Sequence, residues 1–178
     1  MGKEIKPTMD TAHQAALGHE LRMAMRGTGT SVSAVTTAKA DGSWRGATVN
    51  SLVSVSLSPP AILISLNSSS RIHATVLEVR RFAVSVFALQ HAAIAAAFAD
   101  PMRHEERFTS GPWQAGATGM PILTDAVASL ECEVDATLPY ATHTIIVGKV
   151  AAVRRDPAAA PLIYHDGHYG DWSAVGRP

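Results

Sequence analysis

Residues 45–66 read RGATVNSLVSVSLSPPAILISL, and past Arg45 every polar side chain is short and neutral. Thr48, Asn50, Ser51, Ser54, Ser56 and Ser58 offer hydroxyl and amide groups, with no Lys or Glu among them. Ser and Asn are poor strand formers. Alternation sets Ser54, Ser56 and Ser58 on one face and Val53, Val55 and Leu57 on the other. A strand that faces water usually recruits Lys, Glu or Thr. A row of small neutral groups suits a flat polar ligand lying close to the backbone. An isoalloxazine ring is such a ligand: its pyrimidine edge takes several neutral hydrogen bonds, and a phosphate tail takes hydroxyls and amides. The other reading of this row is a solvent-facing or subunit-interface strand.

Other chemistries find less support. No Ser/His/Asp set with recognisable spacing appears. His165, Asp166 and His168 carry metal-ligating side chains, but without a further ligand cluster they read as a solvated tail, and no metal is expected. The Gly27-x-Gly29 pair follows a helix instead of opening one and lacks the third glycine of a dinucleotide fingerprint. Cys132 alternates with Leu130 and Val134 and reads as core. Met23 and Met25 read as packing residues.

The elements that must position such a site follow from periodicity and punctuation. Residues 8–29 suggest a helix, capped by Asp10 or Thr11 with Gln14 three after Thr11, and ended by Gly27. Residues 30–38 alternate as a strand. Asp41-Gly42 supplies a turn. A second strand is expected from about Trp44 to Leu57, broken by Pro59-Pro60. The run AILISL reads as a strand buried on both sides. Ser70 caps a helix over 71–80. FAVSVF is a strand, and HAAIAAAFA a short helix stopping at Asp100-Pro101. Residues 100–121 read as a long functional or covering loop. Residues 127–138 and 142–153 alternate as strands, and 162–172 form a last strand and tail. Many short strands, few helices and no βαβ alternation predict a mainly β protein, an antiparallel barrel with peripheral helices.

Composition bounds the rest. The chain has 178 residues, 47% hydrophobic and 17% charged, with zero formal net charge. That length suits one domain, 1–178, with 1–10 and 173–178 as flexible tails. Zero net charge gives no footprint for nucleic acid or anionic lipid. The low charge content suggests a symmetric oligomer, most simply a homodimer. One cysteine permits no intrachain disulfide and favours a reducing compartment. The start lacks the apolar stretch of a signal peptide, and no apolar run spans a bilayer. A cytoplasmic protein is expected.

The order of motifs adds a resemblance. TVNSLVSVSLSPPAILISLNSSS is similar to the segment T-x-N-S-x-x-S-V-S-L-x-P-P, followed by an apolar strand, of the short-chain flavin reductase family. FAVSVF, AAAFA, ERF, GMPIL, LECEV, THTIIVGKV and PLIYHDGHYG follow in that family's order. The resemblance covers roughly residues 20–172. It implies a split β-barrel of the FMN-binding type, with flavin at a homodimer interface. It also implies an NAD(P)H-dependent reductase moving hydride from NADH or NADPH to FMN or FAD for a partner monooxygenase. Thr48, Val49, Asn50 and Ser51 match the stretch against the flavin. Ser65, Leu66 and Asn67 match the next strand's end beside the ring. Ser70 and Arg71 open the helix whose N-terminus suits the phosphate. Phe108 matches an aromatic near the flavin, with loop anchoring as the alternative, and Tyr169 a C-terminal aromatic. His143 matches the histidine nearest hydride transfer, with a surface histidine as the alternative. Ala141-Thr142 stand where the family often has Gly-Asp, and a Thr-His version resembles the pyrimidine-degradation and corrinoid reductase branches. A reductase of another acceptor such as a corrinoid, and a flavin- or haem-binding split-barrel protein without turnover, remain as alternatives.

Overall fold

The computed structural model describes residues 11–175. The expected tail at 1–10, the cap Asp10 and residues 176–178 lie outside the described residues. Thr11 is helical, inside α1 (Thr11–Arg26), and so is not its cap. The helix stops as expected at Gly27, whose N–H donates to the Ala24 carbonyl at 3.1 Å.

The expected strand over 30–38 divides at Val32. β1 (Thr30–Ser31) pairs elsewhere, and β2 (Ser33–Ala38) pairs with β3 (Trp44–Val49). Gly42 sits at φ 80° in the connecting turn, and the Asp41 carboxylate accepts the Ser43 N–H at 2.8 Å. The second expected strand, 44–57, also divides: β3 ends at Val49 and β4 runs Val53–Leu57. β5 (Pro60–Asn67) follows, then α2 (Arg71–Val79), β6 (Arg81–Val86) and α3 (Ala92–Ala99). The expected loop over 100–121 holds a 3₁₀ turn and most of a small hairpin of β7 (Trp113–Ala115) and β8 (Pro121–Leu123). β9 (Ala128–Tyr140) and β10 (His143–Arg155) form a long hairpin. The last segment is a hairpin of β11 (Ile163–His165) and β12 (His168–Gly170), not one strand. Its turn residues Asp166 and Gly167 both take positive φ, the pairing that matches strand twist.

The main sheet is antiparallel with order β3-β2-β6-β9-β10-β5-β4. β3 and β4 stand at its two ends, yet only residues 50–52 join them. A flat sheet cannot satisfy both facts, so it curls until its edges meet as a split barrel. Ser51 pins the crossing to β5: its hydroxyl accepts the Ser65 N–H at 3.0 Å and donates to the Ser65 carbonyl at 3.2 Å.

Val35, Val49, Ile62, Ile64, Leu66, Phe82, Val84, Cys132 and Ile146 fill the barrel, and Ile72 and Val76 of α2 pack against them. Fully burying side chains of this size stabilises by about 1.5–3 kcal/mol each. β5 alternates, with Ile62, Ile64 and Leu66 inside and Leu63 and Ser65 only half covered. The expected burial on both faces is therefore not found. A second cluster lies outside, where Phe87, Ile94, Phe98, Trp113, Leu123 and Leu162 pack with Val32 and with Ala34 of β2. α1 buries no residue, so Met23 and Met25 do not pack within the chain as expected.

Candidate active site

The site begins at the edge of β3, the strand with no partner on its outer side in the sheet. An unpaired edge presents backbone N–H and C=O groups. Here the edge faces a cavity of about 1130 Å³. β3 supplies one wall from Trp44 to Thr48, the turn into α2 supplies Asn67, Ser69, Ser70 and Arg71, α3 supplies Phe98, and the segment after it supplies His104, Arg107 and Phe108.

Local sequence explains each wall. Ser70 caps α2 from extended geometry, accepting the His73 N–H at 3.4 Å and donating to the Asn67 carbonyl at 2.7 Å. Ser70, Arg71 and Ile72 put the N-terminus of α2 on the cavity wall, where the helix dipole favours an anion. The Asn67 side-chain oxygen accepts from the Ser69 N–H and hydroxyl, which shapes that turn. Thr48 donates its hydroxyl to the Ala95 carbonyl at 2.8 Å and ties β3 to α3. Gly46 lets the aromatic wall approach: a Cβ there would stand 2.5 Å from the Phe98 ring. Phe108 meets Trp44, Phe98 and Trp113 edge-on at 5.2–5.4 Å, so it both anchors the loop and lines the cavity.

The cavity is cationic. Arg45, Arg71 and Arg107 line it, and none of them joins an ion pair among the described residues. Arg107 donates to the Gly46 carbonyl and, at 3.0 Å, to the Asp100 carbonyl. Burial holds its guanidinium below its ordinary pKa; Asp100 opposes that shift, and the like charge of Arg71 adds to it. Two guanidiniums that feel each other, with no carboxylate bound to either, make a place for an anion.

A second group of residues adjoins the cavity at Asn67. His143 pairs with Asn67 across β10 and β5, so their side chains share one face. Alternation puts Ser65 on that face too, and Ser51 is bonded to it. Thr144 points the other way, onto α2, where its hydroxyl meets the His73 ring at 2.8 Å. The shelf of Ser51, Ser65, Asn67 and His143 is polar and holds no carboxylate, lysine or arginine. Its chemistry fits the pyrimidine edge of a flavin, and the cationic cavity beside it fits a phosphate.

Of the expected residues, Thr48, Asn67, Ser70, Arg71 and Phe108 line the cavity. Ser51, Ser65 and His143 belong to the shelf, and Asn50 is exposed in the crossing beside Ser51. Val49 and Leu66 turn their side chains into the barrel core, which leaves only their backbone for a ligand. Tyr169 lies on the small sheet of β1, β11 and β12, edge-on to Tyr164 at 5.8 Å, and does not line the cavity. Burial, and then Tyr164, push its phenol pKa up. Ser54, Ser56 and Ser58 do not line the cavity either; Ser54 and Ser56 lie on the edge strand β4, and Ser58 directly follows it. Arg107, Arg45 and Trp44 are functional candidates that sequence reasoning missed. The ERF run held the one available signal, and only its Phe was used.

Comparison with known proteins agrees with this chemistry. Residues 25–173 match the flavin reductase like domain. The chain is 33% identical over 161 residues to the reductase component of an FADH2-dependent resorcinol hydroxylase from a Rhizobium species, covering 90% of each. It is 32% identical to the NADH-dependent FMN reductase RutF of Cronobacter turicensis, covering 88% of this chain and 92% of that one. Its fold is similar to that of the NADH:FAD oxidoreductase SgcE6 of Streptomyces globisporus, with TM-score 0.83, 29% identity, and coverage of 97% and 100%.

Proposed function

The chain belongs to the flavin reductase-like family, and from that premise we propose that it is an NAD(P)H:flavin oxidoreductase. It passes hydride from a nicotinamide to FMN or FAD, and the reduced flavin serves a partner monooxygenase. The observation that carries this reading is the junction of a hydrogen-bonding shelf without carboxylates with an arginine-lined cavity at Asn67.

Each residue then has a task. Asn50, Ser51, Ser65 and Asn67 orient the ring by neutral hydrogen bonds, with the backbone of Val49 and Leu66 behind them. Ser70, the first amides of α2 and Arg71 hold the phosphate. Thr48 and Phe108 shape the wall. His143, beside Asn67, faces the nicotinamide. Bound flavin supplies the hydride acceptor. That transfer asks the protein for no acid or base, so the residues work by alignment and by excluding water, an effect worth several kcal/mol of barrier. Tyr169 takes no part in this assignment.

The same reading extends to the whole chain. We read it as one domain, because both core clusters share β2, through Val35 in one and Ala34 in the other. We read it as a homodimer, because α1, β4 and the tip of the β9–β10 hairpin leave large apolar side chains uncovered. A cytoplasmic location suits its single free cysteine. Among the described residues, no helix is long and apolar enough to cross a membrane.

Anaerobic titration of the protein with one equivalent of FMN or FAD, then NADH or NADPH, tests the reading at the flavin absorbance band. Bleaching faster than the protein-free control is expected. His143→Ala should slow it at least about tenfold, the scale of lost alignment in such a step, and an unchanged rate removes His143 from the site. A flavin carrier without turnover would bind flavin and bleach no faster than the control.

A further inference from the structure

Two of the cavity's three arginines, Arg71 and Arg107, stand beside Gly46 at its middle, and the third, Arg45, stands toward its Gly42 end. Arg107 bonds the carbonyl of Gly46, and Arg71 is close enough to oppose its charge. Along β3, Thr48 lies on one side of Gly46, toward the shelf. Trp44 and Arg45 lie on the other side, and the cavity continues past them to Gly42. From Thr48 to Trp44 the strand advances about 13 Å. A phosphate held between Arg71 and Arg107 therefore has room on both sides. A mononucleotide flavin ends at its phosphate and fills only the Thr48 side.

We propose that the Gly42–Arg45 end of this cavity holds the adenylate half of FAD, and that Arg45 makes the protein select FAD over FMN. The proposal rests on the flavin reading above and extends it. The lining there has the needed chemistry. Arg45 donates to the Trp44 carbonyl at 2.9 Å and feels the charge of Asp41 but bonds no carboxylate among the described residues, which leaves donors of its planar guanidinium for a second phosphate or for stacking on adenine. Glu105 supplies an exposed carboxylate that can accept from ribose hydroxyls or the adenine amine. The volume agrees: about 1130 Å³ exceeds the roughly 300–1,000 Å³ of ordinary small-molecule pockets. The nucleotide half of NADH has the same chemistry. Continuity favours FAD, since its second phosphate is bonded to the one already placed between Arg71 and Arg107.

Dissociation constants for riboflavin, FMN and FAD, read by quenching of flavin fluorescence, test this on the full chain. The wild-type protein should bind FAD at least about tenfold more tightly than FMN, the scale of one added charge-assisted contact. Arg45→Gln should bring that ratio close to one, with an unchanged circular dichroism spectrum. FMN binding as tightly as FAD in the wild-type protein overturns the proposal. An undiminished ratio in Arg45→Gln overturns the role of Arg45. A variant that changes the KM for NADH and leaves the flavin ratio alone assigns the end of the cavity to the nicotinamide nucleotide, which also overturns it. No quenching of any of the three flavins refutes the flavin reading itself, a result distinct from equal binding of FMN and FAD.

Discussion

At the scale of single residues, charge and burial separate the side chains proposed to meet ligand from those that hold the fold. Arg71 is exposed at the mouth of α2 and bound to no carboxylate among the described residues. Removing its charge should cost binding and not stability. Arg71→Gln is expected to weaken FMN about tenfold while leaving riboflavin, which lacks the phosphate, within about twofold. Equal losses for both flavins would mean that Arg71 shapes the pocket and meets no phosphate. Cys132 is the opposite case. Its thiol is 1% exposed, and burial, with the Glu131 charge behind it, pushes its pKa up to about 12 from 9.0. Below pH 9 both folded and unfolded chains keep the proton, and the residue gives stability no pH dependence. Between 9 and about 12 only the unfolded chain ionises, so stability falls as pH rises, by about 1.4 kcal/mol per pH unit. Denaturant titrations of the wild-type protein and Cys132→Ala at pH 8 and 10.5 check this. The gap between them should narrow at the higher pH.

At the scale of elements, β3 carries both the site and its main vulnerability. Gly46 lies where the edge of β3 meets the Phe98 ring, and an added methyl must push α3 or the ring aside. Gly46→Ala should destabilise by about 1–3 kcal/mol. For a chain of this size that lowers Tm by about 2–4 °C per kcal/mol, readable by calorimetry. It should also weaken flavin binding, because the displaced wall lines the cavity. A normal Tm with weakened binding would confine the clash to the pocket. β3 also shows what the sequence conceals. Alternation runs almost unbroken from Trp44 to Leu57, so local pattern reads one strand where the chain makes two on opposite edges of a sheet. The break at 50–52 answers barrel closure, a long-range demand with no local signature beyond the paired Asn50-Ser51. The serine row after it belongs to an edge strand, and its small side chains do not reach the cavity. Ser70 was legible because a cap acts within three residues. Arg107 was not, because its partners are carbonyls at Gly46 and Asp100, and the first lies 61 residues away. The antiparallel barrel was legible from strand count and the absence of βαβ alternation, while the β7–β8 hairpin is too short to show a period.

At the scale of the molecule, the uncovered apolar surface decides how the protein exists. Leu17, Leu21 and Met25 recur every fourth residue on α1 and are 53%, 61% and 57% exposed. Leu57 on β4 and Tyr140 at the hairpin tip are 87% and 73% exposed. A sixteen-residue helix that buries nothing in its own chain gains little from propensity alone. Its apolar stripe lacks a surface within the chain, and in the homodimer proposed above a second copy would supply one under closed two-fold symmetry. A stable interface of this kind buries about 1,200–2,000 Å² in total, and a charge at its centre is costly. Leu21→Glu should therefore shift the mass by sedimentation equilibrium from dimer toward monomer. It should also destabilise α1, seen as faster hydrogen exchange over 11–26 and not over the barrel. The shelf of Ser51, Ser65, Asn67 and His143 opens outward from the barrel, and the proposed homodimer predicts that a second subunit shields it from water. If so, the Leu21→Glu monomer should bind FAD more weakly, in proportion to its dissociation. A monomer that binds flavin normally would leave each site complete within one chain, and a dimer that survives the charge would place the interface on β4 and the hairpin instead of α1.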